Sequence, residues 1–398
     1  MKKPFFLFIS LLLLTFTFCF PKKEGKAIPA FGRKYRISCQ TCHSPGMPKL
    51  KEFGDEYAGN GFRLSEYESP RYFMETGDSK LSLIREFPLA IRLDGHVTYN
   101  YADKGSSDFG TPFGLKLLSG GELSEKLSYY FYFYIDERGE VAGVEDAFLM
   151  YHDLFGAGIN IYVGQFQVCD PLFKRELRLT LEDYHIYTVT PGNSTISLKY
   201  DRGIMAEYGL PTGTDFVAMV VNGNGIGEAG GDLLFDRDKY KNYLFKISQS
   251  VGEHLGVGFF GYFGKEELAA TVGPVVNRST FYGPDITFSL DEKFELNLQY
   301  LRRMDSKVRA SGILMLDDVL THGGIAELLY APRGDMSNWY FTGLVNWMES
   351  DISEMNYKTA TLHTGYMLRR NVRLVGEYTR HFGNDNFGKA SVGFVSAF

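Results

Sequence analysis

Leu89-Ala90-Ile91-Arg92-Leu93-Asp94-Gly95-His96-Val97-Thr98-Tyr99-Asn100-Tyr101 alternates between apolar and polar side chains. Leu89, Ile91, Leu93, Val97, Tyr99 and Tyr101 share one face of an extended chain. Arg92, Asp94, His96, Thr98 and Asn100 share the other, because successive side chains of a strand point to opposite faces. The same period of two returns further along. Phe294, Leu296, Leu298 and Tyr300 alternate with Glu295, Asn297 and Gln299. Ala360, Leu362, Tyr366 and Leu368 alternate with Thr361, His363 and Met367, and Val372, Leu374 and Tyr378 with Arg373, Glu377 and Thr379. Turn residues separate such runs, as at Asp136-Glu137-Arg138-Gly139, Pro211-Thr212-Gly213, Asn222-Gly223-Asn224-Gly225 and Asp291-Glu292. Each run puts one face in an apolar medium and the other in water.

Two architectures have such strands: a soluble β-sandwich and a membrane barrel. Runs of ten residues or more have the length that crosses a bilayer as tilted strands. Tyr and Phe gather near the run ends, as in the aromatic girdles of outer-membrane barrels. The chain stops inside an amphipathic strand, with Val392, Phe394 and Phe398 on one side and Ser391, Gly393 and Ala397 on the other. Residues 86–398, at about 20 per strand and turn, give about 16 strands. The expected fold class is therefore all-β: a transmembrane, outer-membrane barrel of about 16 antiparallel strands. Composition agrees. The chain has 398 residues, with 33 Phe, 26 Tyr and 44 Gly. Its mean hydropathy is only −0.17, since half of each strand faces water. The net charge of −6 and the lack of a basic patch exclude nucleic acid as a partner; outer-membrane lipid is the expected surround.

The N-terminus reads as an export signal over residues 1–20. Lys2 and Lys3 precede an uncharged apolar run, Phe5 to Phe20, which is shorter than the roughly 20 residues of a spanning helix. The cleavage point stays open. Cys19 as a lipidation site is disfavoured by the bulky Phe18 before it.

Cys39-Gln40-Thr41-Cys42-His43 has the spacing of a c-type haem attachment site. Two thiols three positions apart match the two vinyl groups of one haem, and the next residue offers an imidazole to the iron. The expected cofactor is one covalent haem c, bound by Cys39 and Cys42 as thioethers, with His43 as proximal axial ligand. The competing readings are a redox dithiol and half a zinc site; the first wants a βαβ context and the second more Cys or His nearby. The haem c segment runs over residues 27–78. Being marginal in size for an independent fold, it is expected to pack against or inside the barrel, as a plug in the lumen.

An export signal, one haem motif within the first 45 residues and a C-terminal barrel together resemble the fused outer-membrane monohaem cytochrome–porin family, which includes the Fe(II) oxidases of iron-oxidising bacteria. The likeness covers the mature chain. It is most specific at Ala27-Ile28-Pro29-Ala30-Phe31-Gly32-Arg33-Lys34-Tyr35, followed by Pro48-Lys49-Leu50, Phe53-Gly54 and Asn60-Gly61-Phe62. Gly164-Gln165-Phe166-Gln167 and Asp170-Pro171-Leu172 also look familiar from related cytochrome–porins, and a terminal Phe such as Phe398 resembles the assembly signal of bacterial outer-membrane barrels. The resemblance implies electron transfer across the bacterial outer membrane, from extracellular Fe(II) or another one-electron donor, through the haem, to a periplasmic c-type cytochrome or similar carrier. An iron:cytochrome oxidoreductase activity goes with it. It does not fix the donor. The alternatives are a conduit for a non-iron donor and a diffusion porin whose haem is structural or sensory.

Other residues are weaker candidates. Met74 is the candidate distal ligand, ahead of Met47, which is close to His43 in sequence, and of His96, His363 and Met367, which the alternation places on the lumen face. Cys169 reads as a small buried residue without chemistry. Residues 172–187 lack alternation and mix charges with apolar groups; a solvated loop is favoured over one folded inward. Asp94, Glu295 and Glu377 are expected to keep the lumen wet.

Overall fold

The structure is a computed structural model that describes residues 30–64, 73–74, 77–78, 80–81, 83–85, 87–102, 105–268, 273–310, 314–383 and 386–398. The expected export signal and Cys19 lie outside the described residues. Two short helices, α1 (Ala30–Tyr35) and α2 (Glu52–Gly59), precede a small hairpin of β1 (Phe73–Met74) and β2 (Leu83–Ile84). Sixteen longer strands follow: β3 (Leu89–Asn100), β4 (Ser106–Ser124), β5 (Leu127–Glu137), β6 (Gly143–Leu154), β7 (Ile159–Gln167), β8 (Tyr200–Gly209), β9 (Thr214–Val221) and β10 (Asn242–Val251), then β11 (Leu255–Leu268), β12 (Val275–Leu290), β13 (Phe294–Ala310), β14 (Leu314–Tyr330), β15 (Trp339–Ser350), β16 (Tyr357–Arg369), β17 (Val372–Phe382) and β18 (Gly388–Ala397).

Each of the sixteen pairs antiparallel with its neighbour in sequence, and β18 closes on β3 with Val392 opposite Val97 and Ala397 opposite Arg92. The result is a closed barrel. Closure leaves no edge of unpaired backbone groups, which is the condition for a sheet to stand in lipid. The barrel begins at Leu89, close to the expected boundary at 86. No helix among the described residues is long and apolar enough to cross a membrane; this barrel spans with strands.

The two faces follow the alternation. Val97, Val345, Leu362 and Val392 are exposed on the outer wall, whereas Asp94, His96, Thr361, His363, Arg373 and Glu377 are buried on the inner one. Rings pack side by side on the outer wall near one end across β13 to β16: Phe294 on Tyr330 (4.6 Å), Tyr330 on Phe341 (6.4 Å) and, tilted, Trp339 on Tyr366 (4.8 Å). That end carries short connections, such as those between β10 and β11 and between β16 and β17, together with the C-terminus. The opposite end carries the long segments 168–199 and 222–241. Outer-membrane barrels keep short turns in the periplasm and long loops outside, so the short-turn mouth is the periplasmic one.

Residues 172–187 depart from the expected solvated loop. They fold into the lumen, where Leu172, Tyr184, Ile186 and Tyr187 join one apolar core with Phe260, Tyr262, Phe281, Leu301 and Leu344 of the wall. The mixed composition is the reason. The apolar residues fill the lumen beside β10 to β15, and the charges find partners on the wall.

Leu362 is 72% exposed near the middle of β16. Leu362→Arg is expected to destabilise the barrel by about 2–4 kcal/mol in lipid, as cations at the bilayer midplane do. Thr361→Ser, one residue away on the lumen face, should stay close to wild type. Urea unfolding in vesicles followed by Trp fluorescence measures both.

Candidate functional site

The N-terminal segment lies across the short-turn mouth and is fastened on both sides of it. On one side Arg33 donates to the Leu89 carbonyl (2.6 Å), Lys34 pairs with Glu122 (3.6 Å), Phe62 stacks on Tyr130 (5.1 Å) and Asn160 donates to the Gly59 carbonyl (3.4 Å). On the other side Lys49 pairs with Glu295, Lys51 with Asp335, and Gln40 donates to the Asp335 carbonyl. Within the segment, Phe31 stacks on Phe62 (4.8 Å) and meets Tyr57 edge-on (5.7 Å). This aromatic knot supplies the small core. Gly61 has φ 68, and a Cβ there would meet the Ser128 hydroxyl at 2.2 Å and His152 Nε2 at 2.3 Å. Only glycine allows that approach to the wall.

The motif Cys39–His43 sits on a 3₁₀ turn, Cys39–Thr41, capped by the Ser38 side chain. Helix α2 packs on it so closely that a Cβ on Gly54 would stand 2.3 Å from the Cys42 carbonyl. His43 pairs with Leu50 in an antiparallel bridge, and its Nδ1 lies 3.1 Å from the Lys49 carbonyl. That contact engages one ring nitrogen and leaves Nε2 for a metal, the arrangement by which ligating histidines are oriented. Burial pushes the imidazole below its ordinary pKa, so it is held neutral, the ligating form. Cys39 and Cys42 are free and half-buried. Burial raises both thiols, Cys42 to about 11. A redox dithiol needs a thiol shifted the other way. Among the described residues no three His, Cys, Asp or Glu side chains are placed to share a metal ion. The donor set of two unactivated thiols and one oriented neutral imidazole fits a covalent haem better than either competing reading.

The remaining candidates are scattered. Met74 is 47% exposed on the two-residue strand β1. Met47 is buried beside the motif. Met367 does face the lumen as expected, and its Sδ lies 2.9 Å from where a Cβ on Gly46 would stand, three residues past His43. His363 is also inward but engaged, with Nδ1 2.9 Å from Glu377 and Nε2 3.3 Å from the Tyr340 hydroxyl. His96 is inward and buried, and neither ring nitrogen has a partner. Cys169 is wholly buried, as expected of a residue without chemistry. Asp94 pairs with Arg92 (2.7 Å) and Glu295 with Lys49, so these carboxylates fasten structure as well as line the lumen.

The inward loop crosses the lumen and is tied around it. Glu176 accepts from Lys116 (2.8 Å) and from the Tyr132 and Tyr134 hydroxyls (3.0 and 3.2 Å). Across the lumen Glu377 accepts from the backbone N–H groups of Leu181 (2.7 Å) and Glu182 (2.9 Å). Tyr184 donates to Glu327 (2.9 Å), and Asn346 Oδ1 accepts from the His185 N–H (3.0 Å). Lys174 pairs with Asp55 of α2 (3.1 Å), so loop and N-terminal segment meet inside the barrel. These ties are unreadable from sequence because partners such as Leu181 and Glu377 stand 196 residues apart.

No protein-family model matches the sequence, and no curated protein is similar to it. Solved structures of similar shape include an anion-selective porin from Comamonas acidovorans (12% identity, TM-score 0.56, covering 79% of this chain and 99% of that one). Others are Salmonella typhi OmpF in complex with daunomycin (11%, 0.55, 78% and 98%) and a loop L8 deletion mutant of OmpT from Vibrio cholerae (9%, 0.54, 79% and 99%). The fold is that of the bacterial outer-membrane porins. At these identities the likeness concerns the fold alone; the closed barrel with its apolar outer wall suits the bacterial outer membrane. As a porin-like barrel, this chain differs from an open tube in having a loop across the lumen and a segment across one mouth.

Glu377→Ala removes two charge-assisted hydrogen bonds, each contributing about 1.5–3 kcal/mol. Amide exchange at Leu181 and Glu182 should accelerate by about 10- to 150-fold, read by mass spectrometry. A pH effect follows from Asp183. Burial works against its charge, but Arg178 and Arg175 hold it down to about 2. A carboxyl lowered on folding contributes stability above its unfolded pKa of about 3.9 and loses it as pH falls toward the folded value. Single-channel conductance should therefore rise between about pH 4 and 2 as the loop loosens.

Proposed function

We propose that this chain is an outer-membrane electron-transfer protein. It carries one haem c on Cys39 and Cys42 with His43 as axial ligand, and passes electrons from an extracellular one-electron donor, Fe(II) foremost, to a periplasmic c-type cytochrome. The observation that carries the reading is the Cys39–His43 turn seated at the periplasmic mouth, with His43 Nδ1 engaged by the Lys49 carbonyl and Nε2 left available. When bound, the haem supplies a one-electron Fe(III)/Fe(II) couple. The protein's own part is positional. The 3₁₀ turn presents both thiols, Gly54 lets α2 close on the motif, and Lys49 and Lys51 hold the segment at the mouth where a soluble carrier arrives. The loop across the lumen narrows the path for bulk exchange, so a ferric product formed on the outer side stays outside. A wall of hydrogen-bonded backbone and side chains does not conduct electrons over bilayer distance by itself, so a haem at the periplasmic mouth would shorten the path to the soluble carrier. The second reading, a diffusion porin with a structural or sensory haem, draws on the porin fold, but the loop and the mouth segment both work against free diffusion.

The double substitution Cys39→Ala and Cys42→Ala should leave a heat-modifiable barrel on gels while the pyridine haemochrome assay falls from one haem per chain to none. Stopped-flow mixing of the holoprotein with Fe(II) should reduce the haem. Intact haem that Fe(II) does not reduce anywhere between acidic and neutral pH rejects the iron donor. A large, steady single-channel conductance of the same preparation would move the conclusion to the diffusion porin.

A further inference from the structure

Two guanidinium groups belong to the barrel hairpin that touches the loop after the haem motif, and neither has a carboxylate to pair with among the described residues. Arg370 is in the turn between β16 and β17, and Arg373 is the second residue of β17. The hairpin ladder sets Met367 directly opposite Arg373. Met367 in turn touches the loop that follows His43, at Gly46. The hairpin therefore forms the wall against which the motif rests. Arg370 is close enough for its charge to act on the Cys39 thiol. Arg373 is 2% exposed; one nitrogen, Nη1, donates to the Tyr340 hydroxyl, but Nε is buried without an acceptor. Nη1 of Arg370 is likewise buried without one.

Nearby arginines are treated differently. Arg92 pairs with Asp94 at 2.7 Å, Arg175 with Asp183, and Arg178 with Asp183 at 3.7 Å, although Nε of Arg178 is also buried without an acceptor. Among the described residues no Asp or Glu lies within ion-pair distance of Arg370 or Arg373. A buried cation with an unmet donor is unfavourable unless an anion joins it, and guanidinium is shaped for carboxylate. The anion should carry carboxylates, arrive with the motif and lie against the hairpin.

A haem has two propionate carboxylates on the edge away from its vinyl groups. We propose that Arg370 and Arg373 receive the haem propionates, so that the β16–β17 hairpin is the second wall of the cofactor site. This rests on the haem reading above. The two positive charges would favour the reduced iron, which carries one positive charge fewer than the oxidised form. The barrel would then tune the potential of a group that another part of the chain holds covalently.

The test uses the full-length holoprotein in detergent, with haem content from pyridine haemochrome and midpoint potential from spectroelectrochemical titration. Arg370→Gln and Arg373→Gln should each lower the midpoint and the double variant should lower it further, at one haem per chain. Arg370→Lys and Arg373→Lys should restore most of the shift, since charge is retained. Arg138→Gln, at the far mouth, should leave it unchanged. If Arg373→Gln fails to fold through loss of its bond to Tyr340, Arg370→Gln alone carries the test. Full haem content with unmoved potentials in the glutamine variants overturns the pairing and leaves the haem reading intact. Wild-type protein without covalent haem overturns both.

Discussion

Everything in this molecule depends on the closure of β18 on β3. In hydrocarbon there is no water to satisfy an open sheet edge, so each backbone donor and acceptor must find its partner within the wall. Closure fixes the register all the way round, and register fixes faces, because a slip of one residue would turn every side chain over. Once Val392 is set against Val97, the outward position of Leu362 and the inward positions of His363, Arg373 and Glu377 follow from the ladder. The chemistry inside the barrel is a consequence of the pairing outside it.

That interior is neither an empty pore nor a uniform core. Beside β10 to β15 it is filled by apolar side chains from the loop and the wall, and elsewhere by polar residues that bond to each other. Arg303 shows how dense the polar side is. Its guanidinium donates to Asp305, to the carbonyls of Val189 and Ile196 and to the Ser194 hydroxyl, and is 2% exposed. Burying such a group is tolerable because its donors are met. By the same standard Arg370 and Arg373 stand out among the described residues in keeping an unmet nitrogen at the hairpin that meets the motif with no acid in ion-pair distance.

Much of the fold was legible in local pattern. Alternation such as that of Leu89 to Tyr101 is a property of neighbours two apart, and strand count and facing both came from it. The Cys39–His43 spacing was visible for the same reason, being five consecutive residues. Residues 172–187 were not. Their mixture of charge and apolar groups fits a solvated loop and an inward one equally well, and the difference lies in partners such as Lys116, Glu327 and Glu377, far away along the chain. The arginines of the β16–β17 hairpin were unreadable too. Arg373 appeared only as one polar position in an alternating run, and nothing local indicates which lumen arginine lacks an acid.

The seat of the N-terminal segment is composed of both ends of the barrel sequence. Leu89 and Glu122 come from its first two strands, and Glu295 and Asp335 from its second half. No partial barrel contains that seat. The segment precedes the barrel in the chain, yet its seat is complete only when β3 and β4 are brought round to β13 and the β14–β15 connection by closure. The contacts that hold the motif thus draw on strands that are far apart in the chain and meet around one mouth only in the closed ring.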